Sequence, residues 1–525
     1  MESLFFFSIV LLLCCCSSSS SDEDISRNQF PDSFFFGAST SSYQIEGAVH
    51  EDGRGLNNWD VFTHIKGNII DGDDADQTDD HYHRTEEDIE LMQSLGINAY
   101  RFSISWTRIL PKGRFGDVNP EGILFYNKLI DNLVQKGIEP FVTISHHDVP
   151  LELEERYGSW LSPLIQDDFA YYADICFRTF GDRVKYWITI NEPNLFATNA
   201  YMYGTYPPGR CSAEFGNCPS GDSNTEPLIA VHNMILSHAK AANIYKKNYQ
   251  AKQRGFISIV PNASMYVPLT DSKEDREAAN RALAFCAPWI LDPLILGKYP
   301  SEMRKYLGDQ LPKFSPEEKA MLKDSLDFIS INHYVTLYAK DCIHSSCDTG
   351  GHAVQGFVYT TGEKNGIPIG ERTAFYRFFI IPDGIRMAIE YIKARYNNRP
   401  LYVLENGICQ ENEPLELNGE LLQDRQRVNY HKAYLAAVNR AIRDGADVRS
   451  YFVWSLLDNF EWASGYTYRY GLYYVDYKTL KRTPKLSAKW YSNFLNNESG
   501  VYQDAIAMIT PEKNDDLSSA LKMEV

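Results

Sequence analysis

The sequence predicts a (β/α)₈ barrel, and three observations predict it. Eight short apolar, β-branched segments recur along the 525 residues, amphipathic stretches lie between them, and nearly every apolar segment ends in side chains that can hydrogen-bond or stack. Strand followed by helix, repeated, requires a parallel sheet; eight repeats close it into a barrel whose catalytic face is formed by the strand C-termini. A doubly wound sheet would carry a glycine-rich phosphate turn after its first strand, and the sequence has no GxGxxG.

The first expected strand, 34–43, runs into Gln44, and the second, 99–106, ends in Trp106. The third, 140–146, ends in His146, and the fourth, 186–191, ends in Asn191 and is followed by Glu192. The fifth spans 256–261, the sixth, 328–334, carries Asn332 and Tyr334, the seventh, 401–405, ends on Glu405, and the eighth, 451–457, carries Trp454. All are short and rich in β-branched and aromatic residues, as strands are. Helices are expected over 86–95, 125–136, 165–180, 229–249, 385–396 and 425–444, where apolar residues recur three and four positions apart.

No Pro/Ser/Gly-rich or single-charge tract interrupts the interior; only modest loops are expected near 210–225, 345–370 and 410–422. One barrel domain over 22–500 follows, with a tail over 501–525. Residues 4–16 form an apolar run too short for the ~20 residues that cross a bilayer, and five serines follow it. Residues 1–21 therefore read as a secretory signal peptide, although no Lys or Arg precedes the run. The chain is expected in the secretory pathway, bound for the cell wall, the extracellular space or the vacuole. Among ten cysteines, Cys211/Cys218 and Cys342/Cys347 sit close together in loops and read as two local disulfides of an exported protein. Asn262 and Asn497 begin N-x-S glycosylation sequons.

A formal charge of −18 argues against nucleic acid or an anionic membrane as partner, since both demand a basic face. Aromatic residues, 13% of the chain, suit ligands that bind by stacking, such as sugars and phenols. No metal site is expected: neither cysteine pair has CxxC spacing, and His81/His83 and His146/His147 do not converge on one helical face. The sequence carries no signal for oligomeric state.

Two carboxylates at strand ends are the minimum equipment for cutting a glycosidic bond: one protonates the leaving oxygen, the other attacks the anomeric carbon or activates water. Glu192 and Glu405 fill those places. Glu192 is expected to be held protonated by repulsion from its partner, with Glu405 kept ionised by Arg101 and the Tyr334 hydroxyl. Gln44, His146, Asn191 and Glu461 offer donors and acceptors for ring hydroxyls, and Trp454 and Trp462 offer apolar faces for a hexose. No organic cofactor is needed, because the chain supplies both acid and nucleophile.

The segments FPDSFFFGASTSSYQIEGA, AYRFSISWTRILPKG, PFVTISHHDVP, TINEP, ISINHY, YVLENG and YFVWSLLDNFEWASGYTYRYGLYYVD resemble the family 1 glycoside hydrolases, retaining β-glycosidases built on this barrel. The resemblance implies that Glu192 is the acid/base and Glu405 the nucleophile, and that Gln44, His146, Asn191, Glu461 and Trp462 contact glucose; Asn332, at its strand end, is expected to bind substrate with them. It also implies that Tyr334 partners the nucleophile, that Trp454 lies between sugar and aglycone, and that Tyr470 stands where Phe is common. His147 follows His146 where Trp or Tyr is usual, and Leu404 precedes the nucleophile where Thr is usual. Thioglucosidases of the family carry Gln at the acid position and phospho-β-glycosidases lack the acidic residue at Glu461; O-glucosides of an unphosphorylated sugar are expected. Within the family the chain looks most like plant enzymes acting on monolignol glucosides such as coniferin and syringin. A hydroxyisourate hydrolase or a transglucosidase would use the same two glutamates.

Overall fold

The computed structural model describes residues 25–412 and 421–497. The expected signal peptide, residues 413–420 of the expected loop at 410–422, and the expected tail lie outside the described residues. Eight parallel strands, β1 (Phe35–Ser39), β2 (Ala99–Ser103), β3 (Glu139–Ser145), β4 (Tyr186–Asn191), β5 (Phe256–Val260), β6 (Ile329–Asn332), β7 (Leu401–Asn406) and β8 (Val448–Trp454), form one sheet in the order β5-β4-β3-β2-β1-β8-β7-β6. The ends of that order meet. Asn262 pairs with Asn332, the Asn332 amide donates to the Pro261 carbonyl at 3.2 Å, and Ser258 and Ser330 hydroxyls donate to Phe328 and Ile259 carbonyls at 2.8 and 3.1 Å. Hydroxyls thus complete a seam where the backbone ladder is sparse, and the barrel closes.

Successive side chains of a strand point to opposite faces. Ala99, Phe141, Ile188, Val260, Phe328, Tyr402, Leu404 and Phe452 point inward and plug the lower barrel, with Phe141 and Tyr186 stacked at 4.2 Å. The alternate residues Tyr100, Phe102, Val142, Ile144 and Trp187 point outward into the larger core beneath the helices. Gly37 on β1 is required by this plug: a Cβ there would fall 2.4 Å from the Phe452 ring and 2.7 Å from the Ala99 carbonyl oxygen.

The surrounding helices bury one stripe each, as their period predicts. His81–Leu95 buries Ile89, Met92 and Leu95; Pro120–Gln135 buries Phe125, Leu129, Ile130 and Leu133. Burial of each such side chain contributes roughly 1.5–3 kcal/mol. The first helix stops at Gly96, whose φ of 82° suits glycine; the second starts with the Asn119 side chain accepting from the Glu121 amide, and with Pro120 in the first turn. Ile165–Phe180 has the expected bounds. Glu226–Tyr245, Pro382–Arg395 and Arg425–Arg443 lie within a few residues of expectation.

Two expected strand ends are not strands. After Ser39 the chain turns into the short helix Ser42–Ile45, which carries Gln44, and after Ser103 into Trp106–Ile109. Trp106 is fully buried and stacks on Tyr172 at 4.8 Å, so it fills core rather than facing ligand. Beyond β5 and β6 the chain adds a three-stranded sheet of Met265–Pro268, Thr336–Asp341 and Val358–Thr361, and a hairpin of Glu371–Arg372 with Phe379–Ile380. Both expected disulfides, Cys211–Cys218 and Cys342–Cys347, are formed, and Cys176, Cys286 and Cys409 are buried and free. No described helix is long and apolar enough to cross a membrane.

Candidate active site

Both glutamates owe their aim to a break in strand register. On β4 the inward parity that includes Ile188 would carry Ile190 inward, but a shift between Ile188 and Asn191 in the pairing with β5 turns Asn191 toward the barrel axis. On β7, Tyr402 and Leu404 point inward, and a shift between Val403 and Glu405 in the pairing with β6 lets Glu405 do so too. Irregular registers of this kind re-aim side chains at active sites. Glu192 then leaves the strand with φ 41° and ψ 53°, a left-handed backbone held by its amide donating to the Val260 carbonyl at 2.7 Å. Pro193, the first residue of the helix Pro193–Tyr201, disfavours the right-handed helical conformation at the residue before it.

Arg101 organises the floor. Fully buried on β2, it donates from Nη1 to Glu405 Oε1 at 2.5 Å, from Nη2 to Asn191 Oδ1 at 2.7 Å and from Nε to Thr143 Oγ1 at 3.0 Å. Tyr334 Oη donates to the other oxygen of Glu405 at 2.7 Å. A guanidinium cannot accept, so Asn191 Oδ1 faces it, takes a second bond from Asn332 Nδ2 at 3.1 Å, and leaves Asn191 Nδ2 donating to His146 Nε2 at 3.0 Å. Burial, then the neighbouring His147 and Arg101, pushes the His146 pKa well down, so its ring is neutral. With Nε2 accepting, the proton sits on Nδ1.

Above this floor lies a cavity of about 410 Å³ lined by both glutamates, His146, Tyr334, Glu461 and three rings, Trp454, Trp462 and Tyr470. The Glu192 carboxyl is pushed up to about 8, first by burial and then by the charge of Glu405, against the pull of the Asn262 amide, which donates to it at 3.1 Å. Burial, then the charges of Glu405 and Glu192, pushes Glu461 up to about 8 as well. One acid can therefore hold its proton at neutral pH beside a carboxylate that is ion-paired and hydrogen-bonded. His146 Nδ1, Glu461 Oε2 and Asn332 Oδ1 are buried and have no hydrogen-bond partner among the described residues.

Among the residues expected to touch sugar, Gln44, Asn191 and Asn332 are fully buried beside the groups that line the cavity. Gln44 spends both amide hydrogens on Asn459 Oδ1 and the Phe460 carbonyl, at 3.0 and 2.8 Å, and accepts from Ser41 Oγ at 2.7 Å. Asn262, expected as a glycosylation sequon, points the nitrogen a glycan would occupy at Glu192. Asn262 lines the cavity. It lies two residues past β5, where a search for polar residues at strand ends would have found it. Asn497 follows the last helix, Leu486–Leu495, and Ser499 of its sequon is outside the described residues. His147, which follows His146, also lines the cavity, as do Tyr206 and the 375–378 segment, and no signal local to Tyr206 or 375–378 in the sequence places them there. Among the described residues, His64, Asp74 and Asp76 form the one group with metal-ligand spacing, and none of the three lines the cavity.

Fold and site together define a glycoside hydrolase. The chain belongs to glycosyl hydrolase family 1, whose profile matches residues 26–499. It is similar to the coniferin beta-glucosidase of Pinus contorta, 50% identical over 90% of this chain and 93% of that one. It is 55% identical, over 90% of this chain and 92% of the relative, to an Oryza sativa subsp. japonica protein named "Probable inactive beta-glucosidase 14". A rice β-glucosidase mutant solved in a covalent complex with Glc superposes with a TM-score of 0.86 at 46% identity, covering 89% of this chain and 99% of that one.

Proposed function

We propose that the protein is a retaining β-glucosidase that hydrolyses O-linked β-D-glucosides of small phenolic or phenylpropanoid alcohols by double displacement. The observation that carries this is the set of unpartnered buried polar atoms around the two glutamates. Buried donors and acceptors are costly unless satisfied, and the hydroxyls of a hexose would satisfy His146 Nδ1–H and the Glu461 carboxyl while Trp454 and Trp462 cover its C–H faces. In the first step Glu405 attacks the anomeric carbon as Glu192 gives its proton to the departing oxygen, which leaves a glucosyl ester on Glu405 and an alcohol. Esterification removes the charge of Glu405, Glu192 releases protons more readily, and it draws one from the incoming water. Water attack frees glucose with its β configuration and restores both carboxyls. Similarity to the coniferin beta-glucosidase of Pinus contorta supports the phenylpropanoid range, and the expected signal peptide supports action in the wall or vacuole.

The test is glucose release from coniferin and p-nitrophenyl β-glucoside, with peptide mass spectrometry after 2-deoxy-2-fluoro-β-glucoside treatment. The wild type should release glucose and carry the fluoroglucosyl group on Glu405, and Glu405→Gln should do neither. Wild-type binding without ester formation, as an inactive barrel would give, or equal activity in Glu405→Gln, would refute the mechanism. Adding an alcohol acceptor to the same assay measures how the ester partitions between water and transfer.

A further inference from the structure

We propose that the outer end of the cavity recognises an anionic group, so that the enzyme favours β-glucosides whose aryl aglycone carries a carboxylate at the end remote from the sugar. The inference rests on the β-glucosidase reading above and narrows its substrate class. Arg377 is the only Lys or Arg among the described residues lining the cavity; the acidic residues lining it are Glu192, Glu405 and Glu461, and its two histidines are pushed down by burial. Arg377 comes from the segment 373–378 between the hairpin strands Glu371–Arg372 and Phe379–Ile380, outside the barrel, whereas the glutamates come from the chain at the ends of β4 and β7 and from the Phe460–Trp462 segment. Cation and sugar-binding acids thus belong to different parts of the wall.

Two features make the guanidinium a built receptor and not a passing surface charge. It is half-buried, and Nη2 donates to the Thr360 carbonyl at 2.9 Å and the Thr360 hydroxyl at 2.6 Å, which fixes the plane of the fork. Among the described residues its Nε and Nη1 have no acceptor, and no carboxylate lies within ion-pair distance. A protein of charge −18 that leaves a fixed guanidinium without an acidic partner has a cation whose free Nη1 can give a carboxylate a charge-assisted hydrogen bond. Phe375 and Phe378, 4.8 Å apart, and Tyr334, 6.0 Å from Phe378, flank the approach with ring faces. An aryl group bound with its sugar at the glutamates can turn its acid toward Arg377.

The experiment compares the β-glucoside of 4-hydroxycinnamic acid with that of its methyl ester, which has nearly the same shape and no charge. Wild-type kcat/KM should favour the acid, through KM, and raising ionic strength should erode the preference. Arg377→Gln should cut the acid-to-ester ratio roughly tenfold or more, the scale of a lost charge-assisted hydrogen bond, while leaving the ester within about twofold. Arg377→Lys should restore part of the ratio. The left-handed backbone at residue 377, with φ of 73°, is already borne by a non-glycine residue, so neither change adds strain there. A wild type that prefers the ester, or a ratio that Arg377→Gln leaves unchanged, would overturn the inference while leaving the glucosidase intact. If the wild type cleaves neither glucoside, the glucosidase reading falls by itself, and calorimetric binding of the acid against the ester, with and without Arg377, still decides the anion site.

Discussion

In the proposed mechanism the proton on Glu192 sets a pH limit that can be separated from other ionisations by choice of leaving group. A glutamic acid of ordinary pKa 4.5 would be protonated in only about 3% of molecules at pH 6, whereas one pushed up to about 8 is ~99% protonated, about a thirtyfold gain in competent acid. At about 1.4 kcal/mol per pH unit, holding that proton from 4.5 to 8 amounts to ~5 kcal/mol of preference for the neutral form, supplied first by burial and then by Glu405. The assay is kcat/KM against pH for two substrates. An alkyl β-glucoside, whose leaving group needs a proton, should lose activity above about pH 8. A 2,4-dinitrophenyl β-glucoside, whose leaving group needs none, should keep its first step there. Glu192→Gln should abolish turnover of the alkyl substrate and leave a burst with the dinitrophenyl one, followed by slow breakdown of the ester that added azide accelerates by taking the sugar as β-glucosyl azide. Because Glu461 is also pushed up to about 8, Glu461→Gln serves as control and should weaken binding without removing the alkaline limb. The same limb for both substrates, or a limb for the alkyl substrate near pH 5, would refute the assignment.

Other perturbations read other parts of the site. Arg101→Met removes three hydrogen bonds and leaves Glu405 buried without its cation, so urea midpoints should fall by the equivalent of ~3–5 kcal/mol together with activity. Gly37→Ala drives a methyl into the Phe452 ring and should cost about 1–3 kcal/mol in the same assay, while a surface glycine such as Gly67, with open space around it, serves only as a backbone-strain control. Stability should fall from pH ~6.5 to 8 by on the order of a few kcal/mol in thermal melts. The sign follows from which state holds protons. Glu192, Glu461 and Asp148, all pushed up to about 8, keep protons that the unfolded chain has released above about 4.5. Below ~6.5 the histidines oppose this, because His147, His238, His333 and His431 are held low by burial and the unfolded chain binds the proton first; above ~6.5 only the acids remain. A melting temperature that rises steadily from pH 6.5 to 8 would contradict it.

The barrel was legible because its strands are buried on both faces and its helices on one, so period and length separate them. Their ends were less so. Gln44 and Trp106 continue an apolar, strand-like pattern past the points where the backbone has already turned into helix, and composition does not record a turn made by tertiary contacts. Glu192 and Glu405 could be found by their place at strand ends, yet simple alternation would have turned Glu405 outward, since Leu404 before it is inward; the register shift that rescues it belongs to the pairing of β7 with β6. Asn262 was hidden by a stronger local pattern, N-x-S, that says nothing about the direction of its side chain. The 375–378 segment could not be placed, because it reaches the cavity from an excursion whose short strands fall below the length at which periodicity speaks.

Arg101 has a consequence for how such a barrel can change over generations. It joins Glu405 on β7, Asn191 on β4 and Thr143 on β3 across the open end, so the proposed nucleophile is also a fastener of the rim. Glu192 has no comparable duty; the Asn262 amide is its side-chain partner. A lineage abandoning hydrolysis can surrender Glu192 at little mechanical cost, whereas surrendering Glu405 strands a buried cation. Descendants that keep the shape but not the chemistry should therefore diverge first at the proton donor, and the charge at the floor should outlive the activity it serves.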